Sequence, residues 1–221
     1  MKNIKYLFLL LLTISLGACD YLRSPDDTEI VSKGFITFPN LILTGDSFIQ
    51  LSEGDDYAES GFSASLGTAD ITDDVVVSGN VDPSKAGLYV VSYSIETVNE
   101  LDETQTVTAV RSILVQSSDV DDVDLAGQYQ GSGFGSQIAT VVKIGRGAYT
   151  IDKLLASGNN IGVTFYHVGG NILSIPDQPG PFGNVNTTSP NTSAMITDNG
   201  FEWTAFIGCC GNFGPITFVK L

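Results

Sequence analysis

The chain has 221 residues, with 25 Asp and Glu against 10 Lys and Arg, a formal charge of −15 and a pI near 4.1. So acidic a chain is a poor match for nucleic acid, which needs clustered Lys and Arg; one His and three Cys cannot build a zinc-ribbon or finger set. A hydrophobic share of 43% supplies real cores and excludes wholesale disorder.

In chain order, Lys2 and Lys5 precede an apolar run from Tyr6 to Ile14. The run has the length of a signal-peptide core and falls short of the roughly twenty residues a membrane-spanning helix needs. Leu16-Gly17-Ala18-Cys19 follows, and resembles the lipobox of bacterial lipoproteins at every position. The resemblance implies removal of residues 1–18 and acylation of Cys19, with two or three acyl chains giving stable anchorage to the membrane. The rival reading is an ordinary secretory signal with a chance Cys. The two lysines leave with the signal, so the mature chain holds 8 basic and 25 acidic residues. Asp20 beside the lipid resembles an inner-membrane retention signal of some enteric bacteria. Asp26-Asp27-Thr28-Glu29 resembles the surface-export signal of Bacteroidetes-type lipoproteins. The expected location is the outer membrane, lipid-anchored and facing the cell surface; the sequence leaves the periplasmic face open.

Residues 19–33 read as a polar tether. The acidic charge is concentrated in residues 19–124, where 21 acidic residues meet 4 basic ones; residues 125–221 carry 4 of each. That asymmetry predicts two domains with different surfaces. Residues 117–124, Ser-Ser-Asp-Val-Asp-Asp-Val-Asp, read as a solvated acidic linker between them.

Residues 34–116 carry strand signals throughout. Phe35–Phe38 and Leu41–Leu43 flank Pro39, which fits an edge strand. Ser47–Ser52 and Val75–Val77 are short apolar-rich runs ended by turn residues. Tyr89, Val91, Tyr93 and Ile95 alternate with Val90, Ser92 and Ser94. Val107, Ala109, Arg111, Ile113 and Val115 alternate with more polar partners, Val110 and Leu114 being the exceptions. Turn signals about every ten residues predict a β-sandwich of about seven strands. The run Gly54-Asp55-Asp56-Tyr57…Gly61-Phe62, then Ile71-Thr72-Asp73-Asp74-Val75-Val76-Val77-Ser78-Gly79, then Gly87-Leu88-Tyr89-Val90-Val91-Ser92-Tyr93, resembles the bacterial surface-protein Ig-like family. Asn99–Thr104 departs from the family's usual Asp-rich turn. The resemblance implies a spacer or adhesion module without catalysis.

Residues 125–221 read as a second all-β unit. Ile138, Thr140, Val142 and Ile144 share one face of a strand, and Gly145-Arg146-Gly147 turns into Ala148–Ile151. Ile161, Val163, Phe165 and His167 share another face. Residues 176–190, PDQPGPFGNVNTTSP, hold too many prolines for a central strand. Ala194–Thr197 and Phe201–Ile207 form a hairpin around Asp198-Asn199-Gly200, and Ile216–Leu221 closes the unit. About eight short strands predict a small antiparallel β-barrel. Asp124–Gly131 and Ile144–Leu155 resemble the C-terminal, lipocalin-like meander of two-domain Bacteroidetes lipoproteins, many of which sit beside Sus-like glycan-uptake systems. The overall expectation is all-β: an Ig-like β-sandwich followed by a small antiparallel β-barrel.

No catalytic set is evident, and the chain reads as a non-enzyme without cofactor. His167 is the only His and supports neither a metal site nor a triad. Asp152, Asp177, Asp198 and Glu202 do not read as a pair flanking one cleft, as glycoside hydrolysis requires. Asp119, Asp121, Asp122 and Asp124, or Asp70, Asp73 and Asp74, hold oxygen ligands of the kind calcium takes, but without EF-hand spacing; a solvated charged segment is the plainer reading. No metal ligand is assigned. Aromatic side chains can stack on the apolar faces of sugar rings, which makes Tyr166, Phe182 and Trp203 candidate ligand contacts; Trp203 shares its face with Phe201, Ala205 and Ile207 and also reads as core. Cys209 and Cys210 are adjacent and flanked by Gly208 and Gly211. Outside the cytoplasm they read either as a vicinal disulfide or as two buried thiols at a strand end. The function expected is a lipid-anchored envelope binding protein, an accessory glycan-binding or glycan-uptake component. The alternative is a structural or adhesion subunit that binds another envelope protein.

Overall fold

The computed structural model describes residues 36–221. The expected signal segment, Cys19 and the 19–33 tether lie outside the described residues.

Seven strands build the Ig-like part: β1 Pro39–Leu43, β2 Phe48–Ser52, β3 Phe62–Leu66, β4 Ala69–Asp70, β5 Val76–Ser78, β6 Gly87–Val98 and β7 Thr104–Gln116. They form a three-stranded sheet, β1-β3-β4, and a four-stranded sheet, β2-β7-β6-β5. Pro39 opens β1, a position where its missing N–H costs the ladder nothing. β2 runs parallel to β7, with Ile49 opposite Ile113 and Leu51 opposite Val115. The core of the sandwich is the period-two set on the inner face: Val91, Tyr93, Ile113 and Val115, with Ile49, Leu51 and Phe62 packed on it. Between β6 and β7 the chain turns through residues 99–103, where the Asn99 side chain accepts from the Leu101 and Glu103 N–H groups.

Eight strands close the barrel: β8 Gly127–Ser132, β9 Ile138–Gly145, β10 Ala148–Ile151, β11 Val163–Gly169, β12 Ile172–Ser174, β14 Ser193–Thr197, β15 Gly200–Ile207 and β16 Gly211–Lys220. β15–β16 and β16–β8 pairing completes the ring. The two-residue β13, Val185–Asn186, pairs with the end of β15 beyond the reach of β14. Closure removes the exposed edges an open meander would present.

The barrel interior is packed solid. Tyr129, Tyr149, Phe165, Phe201, Trp203 and Phe218 are all fully or almost fully buried. Phe201 lies 4.8 Å from Tyr129, 5.0 Å from Trp203 and 4.9 Å from Phe218, ring centre to ring centre. Each buried ring stabilises by roughly 1.5–3 kcal/mol, and its aromatic contacts add about 0.5–1.5 kcal/mol.

One sequence reading gains a direction, and one sequence expectation is corrected. The apolar face of β9 points outward: Ile138, Val142 and Ile144 are 46%, 52% and 56% exposed, while Ala139 and Val141 are buried. The smaller side chains of the strand, Ala139 and Val141, are the ones that join the ring-rich barrel core. The correction concerns residues 117–124. They are not a free linker but carry a short 3-10 helix, Ser118–Asp121, whose Val120 is fully buried. Asp119 accepts from the Gly170 N–H at 2.7 Å, and the Ser117 N–H donates to Val168 O at 3.0 Å. Arg146 pairs with Asp121 at 3.0 Å and donates to Ser117 O at 3.1 Å, while Gln50 donates to Arg146 O at 2.8 Å. Gln116, fully buried, donates to His167 O at 2.6 Å. The end of β7 is thus hydrogen-bonded to the barrel.

Candidate functional site

The proline-dense segment 176–190 is an ordered loop. Gln178 and Val185 exchange two backbone hydrogen bonds, at 3.1 and 2.8 Å. The Gln178 side chain also imitates a strand residue. Its amide donates to Thr164 O at 2.7 Å and accepts from the Thr164 N–H at 2.8 Å, satisfying backbone groups of β11 ahead of its pairing with β12. The Asn184 and Asn186 amides donate to the Asp177 carboxylate at 2.5 and 2.8 Å. Asn186 Oδ1 in turn accepts from the Thr188 and Ser189 N–H groups. Four side chains and two backbone bonds therefore hold a segment that could not join a central strand.

One side of this loop faces the outer surface of the β2-β7-β6-β5 sheet across a groove of about 360 Å³. The sheet side of the groove is Phe48, Leu88, Val90 and Val110, with Ser47 and Ser112. The loop side is Pro176, Asp177 and Thr188. These sheet residues are the alternate set to the core residues Val91, Ile113 and Ile49, so period two aims them outward. Val90 and Val110 stay 43% and 45% exposed. Farther along β7 on this face, Leu114 and Gln116 are fully buried.

The loop's other side meets the β15–β16 turn. Cys209 N–H donates to Phe182 O at 2.9 Å, and Gly208 N–H donates to Asn184 O at 2.8 Å. Cys209 and Cys210 form a vicinal disulfide at this exposed turn, with their Cα atoms 3.7 Å apart. Gly183 has φ +94°, and a Cβ there would meet Gly208 Cα at 3.1 Å, so glycine permits the close backbone approach of loop and turn. Phe182, 50% exposed, projects beside the disulfide.

The three aromatic candidates fare differently. Trp203 is withdrawn as a ligand contact. It is 1% exposed and its indole N–H donates to Leu154 O at 2.9 Å, because alternation along β15 sends Phe201, Trp203, Ala205 and Ile207 inward together. Tyr166 points out of the barrel but stacks on Phe48, with ring centres 4.9 Å apart; burial raises its phenol pKa. It supports the groove floor rather than offering a free face. Phe182 is presented to solvent. His167 is fully buried, with Nε2 2.9 Å from Gly170 O.

The carboxylates are engaged locally. Asp70 accepts from the Thr72 N–H and hydroxyl, Asp124 from the Ala126 N–H, and Asp152 from the Thr140 N–H. The Ser117 hydroxyl and the Gly170 N–H hold the Asp119 carboxyl below its ordinary pKa, outweighing desolvation. Among the described residues, no three His, Cys, Asp or Glu side chains converge as metal ligands do. Sequence reasoning passed over Phe48, Val90, Val110 and Asp177 as a group. A local signal was Val110, which with Leu114 interrupts the polar face of β7.

Residues 41–115 match the family model of the bacterial surface protein Ig-like domain, about a third of the 221 residues. The chain therefore carries a bacterial surface-protein Ig-like domain followed by a β-barrel. Among solved structures it is similar to the lipoprotein BT2262 from Bacteroides thetaiotaomicron, at 20% identity and a TM-score of 0.34, covering 83% of this chain and 100% of that one. It is also similar to the M60 catalytic domain with the CBM51-1 and CBM51-2 domains of Clostridium perfringens ZmpB, at 13% identity and a TM-score of 0.28, over 83% of this chain and 21% of that one. A further ZmpB structure, CBM51-2 in complex with GlcNAc and INT domains, gives 14% identity and a TM-score of 0.27, over 82% of this chain and 43% of that one. No curated protein matches the chain.

Proposed function

We propose that this protein is a lipid-anchored component of the bacterial outer membrane that faces outward and binds glycans, as an accessory to their capture or uptake, without catalysing a reaction. The observation that carries the reading is the ordered 176–190 loop. It fixes a carboxylate, Asp177, between two amides, Asn184 and Asn186, on one hydrogen-bonded scaffold beside an apolar sheet face, Phe48, Val90 and Val110. Sugars are recognised by such combinations, because their hydroxyls need fixed donors and acceptors and their C–H faces need apolar surface. Positioning these groups in advance lowers the ordering entropy of binding. The surface-protein Ig-like domain supports an envelope location, and Leu16–Cys19 supports the lipid anchor. The test is a glycan array probed with the purified mature chain, paired with protease shaving of intact cells. Retention of at least one glycan and loss of the protein on shaving are expected; an array without signal overturns the reading.

A second reading, a structural subunit bound to another envelope protein, rests on the outward apolar ladder Ile138, Val142 and Ile144 of β9. Crosslinking in intact membranes would then recover one stoichiometric protein partner, and Val142→Glu would abolish its recovery.

A further inference from the structure

We infer that the glycan site lies in the groove between the loop and the Ig-like sheet, not at the exposed Phe182–disulfide tip, and that it takes an uncharged saccharide. The inference rests on the glycan-binding reading and deepens it. The two surfaces flank the same loop, and they differ in shape. Ligand sites bury about 70–90% of a small ligand, which a concave surface can do and a projecting turn cannot. The groove, about 360 Å³, falls within the range of such sites. The tip offers one ring and one disulfide on a turn that stands out from the barrel.

The chemistry of the lining selects the ligand class. Its apolar floor, Phe48, Leu88, Val90 and Val110, is spread over the neighbouring strands β2, β7 and β6 and offers the apolar surface that the C–H face of a pyranose requires. Ser47, Ser112 and Thr188 add hydroxyls that both donate and accept. Among the described residues, Asp177 is the only charged one of the lining. Each of its oxygens accepts one amide hydrogen and keeps a lone pair, so the carboxylate can take the two donors of a sugar diol. Among the described residues no Lys or Arg lines the groove, and the first 124 residues are strongly acidic. A uronate or sulfated sugar would be repelled with nothing to compensate it. The floor comes from the Ig-like sheet and the wall from the barrel, so the Ig-like part would be half of the binding site and not a spacer.

The experiment is calorimetric titration of the mature chain with neutral gluco-, manno-, galacto- and N-acetylglucosamine oligosaccharides, and with oligogalacturonate of equal length. Val110→Arg fills the groove from an exposed strand position, where the fold tolerates a long side chain. Asp177→Ala removes the diol acceptor, and Phe182→Ala tests the tip. Thermal melts establish that each variant is folded. Binding of a neutral oligosaccharide that Val110→Arg and Asp177→Ala each weaken by roughly tenfold or more, with Phe182→Ala unchanged, is the expected result. Binding that survives Val110→Arg, or that Phe182→Ala alone removes, overturns the groove while leaving the glycan-binding reading intact. Preference for oligogalacturonate overturns the uncharged class. Failure of the wild-type chain to bind any oligosaccharide on the array or by calorimetry removes the reading itself, and the inference with it.

Discussion

Arg111 Nη1 donates to Glu59 Oε1 at 2.5 Å across 52 positions of sequence, although Arg111 is fully buried in the sandwich. Its other terminal nitrogen donates to Thr44 O at 2.7 Å and Gly61 O at 3.3 Å. A single guanidinium thus ties β7 to the ends of two loops. The planar, multi-donor head suits the task in a way Lys would not. Removing it takes a donor from the Thr44 and Gly61 carbonyls and the counter-charge from Glu59, and leaves a cavity. Glu59 is 33% exposed and can rehydrate in part, so Arg111→Ala should cost about 2–4 kcal/mol. Urea unfolding should show the lower midpoint.

The same pair predicts acid sensitivity. Burial pushes the Glu59 carboxyl up, but hydrogen bonds from Tyr57 and the Gly61 N–H and the charge of Arg111 outweigh it, leaving the pKa below its ordinary 4.5. Burial and Glu59 in turn push the Tyr57 phenol up to about 12. A carboxyl lowered in the folded state stabilises fully above its unfolded value and loses that contribution as pH falls through the folded one. The urea midpoint should therefore decline as pH drops below the ordinary carboxylate range. Glu59→Gln should flatten its share of that decline; Asp70, Asp82 and Asp119, also lowered, retain theirs.

Trp203 is the chain's sole tryptophan and sits in the aromatic core of the barrel. Its emission should be blue-shifted and resistant to acrylamide in the native protein, and should remain so when glycan is added. Trp203→Ala should destabilise the barrel by about 3–5 kcal/mol through the cavity it leaves, with the Leu154 carbonyl losing its donor.

Residues 117–124 should resist proteolysis in the native protein, because Val120 is buried and Asp119, Asp121 and Ser117 are all bonded to the barrel. Arg146→Ala removes the contacts to Asp121, Ser117 and Ser52 together. It should open this segment to cleavage while the global melting temperature moves by only a few degrees. Mass spectrometry of the fragments locates the cut.

Alkylation of the mature protein without reductant should label neither Cys209 nor Cys210, since their sulfurs are joined. Replacing both by Ser should change stability by less than about 1 kcal/mol, because a bond between neighbours closes almost no chain and disulfide stabilisation grows with the loop closed. A larger loss would mean that the turn supports the 176–190 loop through more than the Cys209 and Gly208 backbone bonds.

The sequence alone determined the all-β character, the order of an Ig-like unit before a barrel and most strand positions, because period-two alternation and turn residues are local and each strand carries its own. Phe165 and His167 were legible as one face for that reason, and Phe182 as an exposed loop residue because its neighbours are proline and glycine. Local alternation cannot say which face meets a core, and the face of β9 that meets it is Ala139 and Val141, leaving Ile138, Val142 and Ile144 outward. Nor could it show that Asp119 and Asp121 bind the barrel, that Asp177 collects Asn184 and Asn186, or that Val110 and Pro176 face one another across a groove. Those relationships join residues tens of positions apart, and only the folded chain, trading conformational entropy for buried surface, decides which of them meet.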